Sequence, residues 1–448
     1  METDFEYQYK NSSTAVLEGN EKQFSFSHCS EIREDDSIPC FFYGNILNSY
    51  VAAKCMSVLA KMVGSHFTIA PGLHIYLRDP IISVGNQELH FEAFSSCNGV
   101  YARVDILQSG IDGEFIQSGC TNIDFNDNTI RAFNTVKPNE RLSLSIGSKK
   151  VAFTTEKNST IEKKVSLPNR WIKGLSNVQA YLSEMELAFQ LTKIESLQLF
   201  KTLPKTAIKG DYYLTKSGLS YQFSSIPKSN CIKIGGIHRL NLLQNLLFDI
   251  DSLSFYKCDG EQSVAIILAF KGIQMLFLFS ENVYRGFSGE GKNLPDLITE
   301  IPDEWLLGIN SFFKTNEVFN PTLVAIENDI DFNKMTALQS SLSSIGLIGF
   351  DILSNRYFYR RLPFKLERLK NFNPRIQNAK KLIENDEVKI IEQSEKYLKA
   401  EVKGSSDINH IVIKSNSEYL CTCTWFTNHQ HKRGFCKHIL AVKMKEGF

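Results

Sequence analysis

The chain has 448 residues, of which 43% are hydrophobic and 22% charged, and its 50 Lys and Arg side chains nearly balance 49 Asp and Glu side chains. This composition is typical of a folded globular protein. It excludes global disorder, and it excludes a general electrostatic attraction to nucleic acids or membranes. Chains of this length usually divide, so we predict two to four domains with a large buried core.

The chain shows no pattern of export or membrane insertion. Its first residues, METDFEYQYK, are acidic and polar, whereas a secretory signal has a basic start and an apolar run. The most apolar segment, 264–279, is shorter than the about 20 residues of a spanning helix. Irregular cysteine spacing is typical of reduced thiols. We therefore predict a cytoplasmic protein with no membrane partner. The scattered cysteines are Cys29, Cys40, Cys55, Cys97, Cys120, Cys231 and Cys258.

Residues 1–36 are polar and contain few clustered apolar groups, which predicts a weakly ordered tail. Residues 37–200 are predicted to form one α+β domain. Apolar side chains at three- and four-residue steps predict helices from Asn45 to Val63 and from Trp171 to Phe189. Short β-rich runs bounded by turn residues predict the strands Leu73–Leu77, Ile81–Val84, Glu88–Phe94, Val100–Leu107, Arg141–Ile146 and Lys150–Thr154.

Residues 201–365 are predicted to form a second α+β region. Lys271 and Gly272 divide the apolar segment 264–279 into two strands. Shorter strands are predicted at Tyr212–Leu214, Leu219–Phe223 and Ile232–Ile234.

Residues 320–365 follow the order of a winged helix-turn-helix. In the DNA-binding interpretation, Tyr357 and Tyr359 beside Arg360 and Arg361 reach nucleic acid. The same order of elements also serves as inert packing in many domains, so both interpretations stay open. The elements are a helix from Met335 to Ser344, a strand from Leu347 to Leu353, a turn at Ser354 and Asn355, and a basic strand from Arg356 to Leu362.

Residues 366–448 are predicted to form a C-terminal domain that carries a small ββα-like module at about 408–446. The whole chain is therefore predicted to be a multidomain α+β protein with mixed antiparallel sheets and helices. The C-terminal elements are a helix from Arg375 to Asn385 and strands at Val388–Glu392, Tyr397–Val402, His410–Ile413 and Tyr419–Leu420.

The stretch CTCTWFTNHQHKRGFCKH has the pattern C-x-C-x12-C-x-H, formed by Cys421, Cys423, Cys436 and His438. In an extended segment, residues two apart project to the same face, so the first two sulfurs can bind one ion. Three thiolates and one imidazole suit Zn²⁺ in a closed tetrahedral site and disfavour calcium and magnesium. Because a closed site has no open position, the zinc is predicted to organise the chain rather than to catalyse a reaction.

Two alternatives remain for this motif. The three thiols can have this spacing by coincidence, or His429 or His431 can replace His438 as the fourth ligand. Trp425 and Phe426 are predicted to cover the site and shield its thiolates.

Basic side chains surround the motif at Lys432, Arg433 and Lys437, with Lys443 and Lys445 further along. Such a patch can neutralise phosphates of DNA or contact a protein partner. Charges near a chain end can also simply maintain solubility, and for the last two lysines this explanation is at least as good.

The motif resembles the SWIM zinc finger, whose pattern is CxC followed by CxH, with Trp425 between the pairs and the run KHILAV after them. Thr424 stands where a proline often follows the second cysteine. Most of residues 40–448 is similar to bacterial SWIM-domain proteins, and the stretches that carry this likeness are Phe94–Arg103, Thr121–Asn126, Lys164–Gly174 and Arg285–Gly291.

This resemblance implies that Cys421, Cys423, Cys436 and His438 are zinc ligands and that the finger binds DNA or protein. Proteins of this kind are often encoded beside MoxR-type AAA ATPases and von Willebrand A-domain proteins, which implies a multi-protein complex.

Three functional hypotheses follow from the sequence. A protein-binding adaptor is favoured, with DNA binding as the alternative, and catalysis is not expected. The third is a nucleotide-dependent enzyme, because Gly286 to Lys292 matches GxxxxGK. However, Asn293 stands where a phosphate-binding loop has a Ser or Thr for magnesium.

Overall fold

The computed structural model of the protein contains both helices and sheets, which confirms the α+β prediction. The residues that it describes are 8–9, 14–18, 21–26, 29–30, 41–65, 67, 80–85, 87–122, 127–146, 169–204, 210–258, 263–281, 283, 286–287, 291–299, 305, 312, 318–327, 330–344, 348–360, 374–404, 408–416, 418–431 and 433–447.

The chain forms two compact units. The first comprises residues 1–171 and 181–287, and the second comprises residues 172–180 and 288–448. This division describes packing within the folded chain. The domain boundaries predicted near 36, 200 and 365 stay predictions.

The first unit contains most of the strands. They are β1 Gln8–Tyr9, β2 Thr14–Glu18, β3 Glu21–Phe26, β4 Cys29–Ser30, β5 Phe42–Ile46, β6 Ile81–Val84, β7 Leu89–Phe94, β8 Val100–Ile106, β9 Ile111–Phe115, β10 Gly119–Asn122, β11 Arg141–Ile146, β12 Glu186–Thr192, β13 Tyr212–Ser217, β14 Ser220–Ser224, β15 Ile232–Ile234, β16 Ser252–Lys257, β17 Val264–Phe270 and β18 Ile273–Phe279. The helices that begin in this unit are α1 Ser49–Val63, α2 Asp127–Asn134, α3 Asn169–Leu182 and α4 Lys193–Phe200, and two 3-10 helices lie at Gln108–Gly110 and Ile237–Leu246.

An antiparallel eight-stranded sheet dominates the first unit, in the order β10-β6-β7-β8-β18-β17-β16-β12. The hairpin β17–β18 turns at Lys271 and Gly272, as predicted, and Gly272 has a φ of +75°. Helix α1 packs its apolar side chains on β7 and β8. A five-stranded sheet, β2-β3-β11-β5-β9, and smaller sheets complete the unit.

One face of the eight-stranded sheet buries ionisable side chains. His90 Nδ1 lies 2.7 Å from Asp105 Oδ1, and the Arg103 Nε donates to both oxygens of the same carboxylate at 2.7 and 3.0 Å. None of the three residues is more than 3% exposed. On the same face, the Tyr101 hydroxyl donates to the Glu92 carboxylate. Buried charges of this kind depend on their partners, because burial removes them from bulk water.

The second unit contains two further sheets and the C-terminal helices. The strands are β19 Val318–Phe319, β20 Ile348–Asp351, β21 Arg356–Tyr359, β22 Val388–Gln393, β23 Tyr397–Lys403, β24 Asn409–Ser415 and β25 Glu418–Cys421. The helices are α5 Leu294–Leu297, α6 Pro321–Glu327, α7 Phe332–Ser344, α8 Pro374–Glu384, α9 Thr424–His429 and α10 Lys437–Gly447.

The C-terminal part of the second unit is built on the antiparallel sheet β22-β23-β24-β25, against which α10 packs. Its core includes apolar side chains of α5, α8, the sheet and α10, and it also includes Cys421, Cys423 and Cys436. The cysteine motif therefore belongs to the centre of this part and not to a peripheral arm.

The described part of residues 1–36, for which a weakly ordered tail was predicted, contains β1 to β4, and β3 pairs in parallel with β11 more than 100 residues later. Long-range pairing of this kind leaves little trace in a polar sequence. Two predictions about the limits of individual elements are wrong. The helix predicted to continue to Phe189 ends at Leu182, because β12 pairs with β16 from Glu186 onward. Helix α1 begins at Ser49, because β5 takes the preceding residues into a sheet.

The predicted order of helix, strand, turn and strand near 335–362 is present as α7, β20 and β21. The predicted strands Leu73–Leu77 and Lys150–Thr154 lie outside the described residues. Within the described part of the chain, no helix has both the length and the apolar character needed to span a membrane.

Candidate metal centre

Three elements bring the cysteine and histidine side chains together. Cys421 is the last residue of β25, Cys423 caps the amino end of α9, and Cys436 directly precedes α10. His438 lies in the first turn of α10. The end of the strand and the starts of the two helices therefore bring the four side chains close together.

The ligand atoms of these four residues all lie within 4.8 Å of one another, and all four residues are buried. A sulfur at about 2.3 Å and a nitrogen at about 2.0 Å from one zinc ion in tetrahedral geometry are about 3.5 Å apart. Cys421 Sγ lies 3.8 Å from His438 Nδ1, close to that spacing. The group could therefore hold a metal ion, and its sulfur-rich donor set suits zinc.

Backbone amides point at all three sulfurs. The amide of Cys423 donates to Cys421 Sγ at 3.4 Å, that of Phe426 to Cys423 Sγ at 3.4 Å, and that of Ile439 to Cys436 Sγ at 3.5 Å. The last two amides belong to the first turns of α9 and α10. Amides at helix starts stabilise negative charge, so these bonds stabilise the thiolate form in which a cysteine binds a metal ion.

The three thiols compete for protons. Hydrogen bonds from Cys421 and Cys436 lower the pKa of Cys423 far below its ordinary value, and the bond to Cys423 raises the pKa of Cys421. Without a cation, the three neighbouring thiols therefore cannot all be deprotonated. A divalent cation supplies the positive charge that lets all of them ionise.

The imidazole of His438 is oriented by its surroundings. Its ring centroid lies 4.6 Å from that of His410 on β24, and its Nε2 is buried without a hydrogen-bond partner in the described part of the chain. Nδ1 is the ring nitrogen that lies 3.8 Å from Cys421 Sγ, so Nδ1 would coordinate the ion and Nε2 would carry the proton of the neutral imidazole. This ring fits the fourth ligand position.

The alternative histidines have other contacts. The His429 ring packs edge-on against Trp425 at 4.9 Å, and the His431 ring packs against Phe426 at 4.7 Å. Neither belongs to the four-residue group. The cluster therefore contains His438, and the other two histidines lie in its aromatic surroundings.

The aromatic residues of the motif differ in role. Phe426 is 4% exposed and belongs to the core beside the cysteines, as the predicted covering role requires. Trp425 is only partly buried, and its ring lies 4.9 Å from the Arg375 guanidinium. Arg375 also donates to the carbonyls of Arg433 and Phe435, at 2.8 and 3.2 Å. This arginine on α8 thus holds the loop that precedes Cys436.

The glycines of the GxxxxGK motif make close backbone contacts. A Cβ on Gly286 would lie 2.2 Å from the Asn98 carbonyl oxygen, and a Cβ on Gly291 would lie 2.3 Å from the Arg375 guanidinium. Gly291 also meets Gly434 in the loop before Cys436. Close packing therefore accounts for both motif glycines without a bound phosphate. Residues 288–290 lie outside the described part.

Replacing Gly434 with Ala is expected to destabilise the C-terminal part. Gly434 has a φ of +73°, and an added Cβ would lie 2.0 Å from the Gly291 carbonyl oxygen. The positive φ costs about 1–2 kcal/mol, and displacement of the opposing backbone adds about 1–3 kcal/mol. Thermal unfolding measures the sum.

Gly218→Ala is the matched control for this glycine. Gly218 has a φ of +62° with no atom within 4 Å of an added Cβ, so only the cost of the backbone conformation applies. Equal losses of stability in the two variants would contradict the close approach of Gly434 to Gly291.

The basic residues predicted to contact a partner are not all on the surface. Arg433 and Lys437 are half-buried, and Lys432 lies outside the described residues. In the winged-helix-like segment, Arg360 is 1% exposed and its guanidinium lies 5.3 Å from the Phe358 ring centroid. Tyr357 packs against Phe350 at 4.9 Å. Arg360 and Tyr357 therefore pack against neighbouring aromatic rings of the same segment.

Comparison with family models finds no match, and comparison with curated proteins finds none. Among solved structures, the chain is similar to the proliferating cellular nuclear antigen of Entamoeba histolytica, with 10% identity and a TM-score of 0.34 over 54% of this chain and 98% of that chain. It is also similar to the PCNA2–PCNA3 complex of Sulfolobus tokodaii, with 5% identity and a TM-score of 0.34 over 53% and 98% of the respective chains. TM-scores this low support no conclusion about function.

Proposed function

We propose that this protein is a zinc-binding adaptor whose C-terminal SWIM-type finger presents a rigid docking surface to other proteins. The observation that carries the proposal is the buried group of three cysteines and one histidine, with ligand atoms within 4.8 Å of one another. Cys421, Cys423, Cys436 and His438 would fill a tetrahedral Zn²⁺ and leave no position for substrate or water. The zinc therefore has a structural role, and the proposal includes no enzymatic activity.

The resemblance to bacterial SWIM-domain proteins supports the choice of partner. We propose a cytoplasmic complex with a MoxR-type AAA ATPase, in which a von Willebrand A-domain protein also takes part. A docking surface that consists of packed strands and helices needs the metal for its rigidity, because the ligands belong to the same core as the surface.

DNA binding is the alternative function. The observation that favours it is the charge of residues 397–448, where basic side chains outnumber acidic ones by eight to four. The burial of Arg360 removes one of the basic side chains expected to contact DNA in the winged-helix-like segment. The basic residues are Lys399, Lys403, Lys414, Lys432, Arg433, Lys437, Lys443 and Lys445, and the acidic ones are Glu401, Asp407, Glu418 and Glu446.

A pull-down with the tagged full-length chain tests the adaptor function. We expect bound proteins to be lost when a zinc chelator is present and retained when the same chelator is first saturated with Zn²⁺. Identical capture in both conditions would contradict a metal-dependent docking surface. Binding of duplex DNA would instead favour the alternative, if the logarithm of its association constant falls linearly with the logarithm of salt concentration.

A further inference from the structure

A groove runs along the free edge of the C-terminal sheet beside the cysteine cluster. Its volume is about 940 Å³. Strand β25 forms one side, and α9 with the turn after it forms the other. The lining residues are Ile411, Ile413, Glu418, Tyr419, Leu420, Cys421, Thr422, Phe426, Thr427, Gln430, His431 and Phe435.

Strand β25 offers unpaired backbone groups to this groove. Within the described part of the chain, β25 pairs only with β24. Leu420 lies opposite Ile413, and the Thr422 amide donates to the Ile411 carbonyl. Because hydrogen-bonded pairs alternate along an antiparallel ladder, the amides and carbonyls of Tyr419 and Cys421 point away from β24. Both residues line the groove, and 6% of Tyr419 and 5% of Cys421 is exposed.

The side chains of the groove provide apolar contact area. Leu420 is 51% exposed, and its cross-strand neighbour Ile413 is half-buried. Phe435, which is partly buried, provides aromatic surface on the other side, behind which Phe426 is 4% exposed. The edge strand is held in place because the Tyr419 hydroxyl donates to Glu446 of α10 at 2.6 Å. A rigid edge with apolar side chains is what strand addition requires.

The charge of the groove limits what can occupy it. Glu418 is exposed at one end and forms no ion pair with any described residue. No other carboxylate and no Lys or Arg lines the groove. A basic side chain on the occupant would complement this carboxylate. If the β25 strands of two copies of this chain paired with each other, two Glu418 carboxylates would lie on one short strand pair. Repulsion between these like charges disfavours such a dimer.

We propose that this groove binds an extended peptide segment of a protein partner. The segment adds a strand to β25, places apolar side chains beside Leu420 and Phe435, and sets a Lys or Arg beside Glu418. The inference rests on the adaptor function proposed above, and it defines the chemistry of the partner segment.

Fluorescence anisotropy with the zinc-loaded full-length protein tests this binding mode. The probes are fluorescein-labelled decapeptides in which Val alternates with Thr and one Thr at a time is replaced by Lys. We expect saturable binding by at least one Lys peptide and weaker binding by the same peptide with Glu in place of Lys. N-methylation of alternate residues in one register is expected to abolish binding, because strand addition needs those amides.

Glu418→Lys provides the decisive variant. It is expected to weaken binding of the Lys peptide about fivefold and to strengthen binding of the Glu peptide by a similar factor, as for an exposed ion pair. Glu392→Lys makes the same charge change at an exposed position on β22, the opposite edge strand, and is expected to leave both affinities unchanged. Leu420→Lys is expected to weaken the binding of every peptide.

Three results would overturn the inference. They are a zinc-loaded protein that binds none of the peptides, a Glu418→Lys variant with unchanged peptide preference, and concentration-dependent dimers that Leu420→Lys abolishes. Zinc content is measured on every sample. A folded protein without zinc would contradict the proposed function, whereas a zinc-loaded protein without peptide binding would contradict only the groove.

Discussion

Replacing Cys436 with Ser is expected to release the zinc and to unfold the C-terminal part of the second unit. Cys436 belongs to the same buried core as β22 to β25, α8 and α10. Apparent binding free energies of structural zinc are about 10–16 kcal/mol in small fingers, and this energy is available only to the folded chain. Loss of one ligand should therefore lower the free energy of unfolding by at least about 3 kcal/mol.

Elemental analysis and amide hydrogen exchange measure this effect. Zinc should fall well below one ion per chain, and amides of β22 to β25 should exchange faster. Cys231→Ser is the matched control, because Cys231 is a half-buried thiol outside the cluster. A Cys436→Ser protein that keeps one zinc ion per chain would contradict the ligand assignment.

Replacing Asp105 with Asn is expected to destabilise the first unit by about 3–5 kcal/mol, the usual effect of breaking a buried ion pair. Asn leaves the Arg103 guanidinium buried without a counter-charge and changes the hydrogen bond to His90. Urea unfolding measures the loss. Asp112→Asn is the control, because Asp112 is exposed on β9, and it should change stability little.

A compensating double variant tests the physical reason. Arg103→Met with Asp105→Leu removes both charges, so it should be more stable than Asp105→Asn alone. A double variant as unstable as the single one would show that side-chain packing, and not the buried charge, accounts for the loss.

The effect of Asp105 should also depend on pH in one direction. Burial alone raises the pKa of Asp105, but the Arg103 guanidinium and the His90 hydrogen bond together lower it below its ordinary value. A carboxyl with a lowered folded-state pKa stabilises the protein above its unfolded pKa, about 3.9 for Asp, and loses this effect as the pH falls through the folded value. The difference between wild type and Asp105→Asn should therefore shrink below about pH 4.

Local patterns in the sequence predicted many elements well. Strands β11 and β15 have the predicted limits, and the β17–β18 hairpin turns at the predicted residues. The C-x-C and C-x-H spacings also identified the four residues that the fold brings together. These predictions succeed because side-chain alternation and short ligand spacings depend only on neighbouring residues.

Elements that depend on distant partners were missed or misread. Strands β1 to β4 lie in a segment predicted to be weakly ordered, and β12 was read as the end of a helix. Helix α9 was not predicted. In each case the pairing or packing partner lies elsewhere in the chain or in the geometry of the cluster, so local propensity has little weight.

The amino-acid sequence by itself determined the α+β class, most C-terminal strands and the composition of the metal-binding group, because each follows from local spacing. Only the tertiary structure decided that His429 and His431 lie outside the group, that Gly291 packs against Gly434, and that Arg360 is buried. The groove beside β25 likewise depends on which strand lies at the edge of the sheet. Contacts between residues far apart in sequence create these features, and no local pattern contains them.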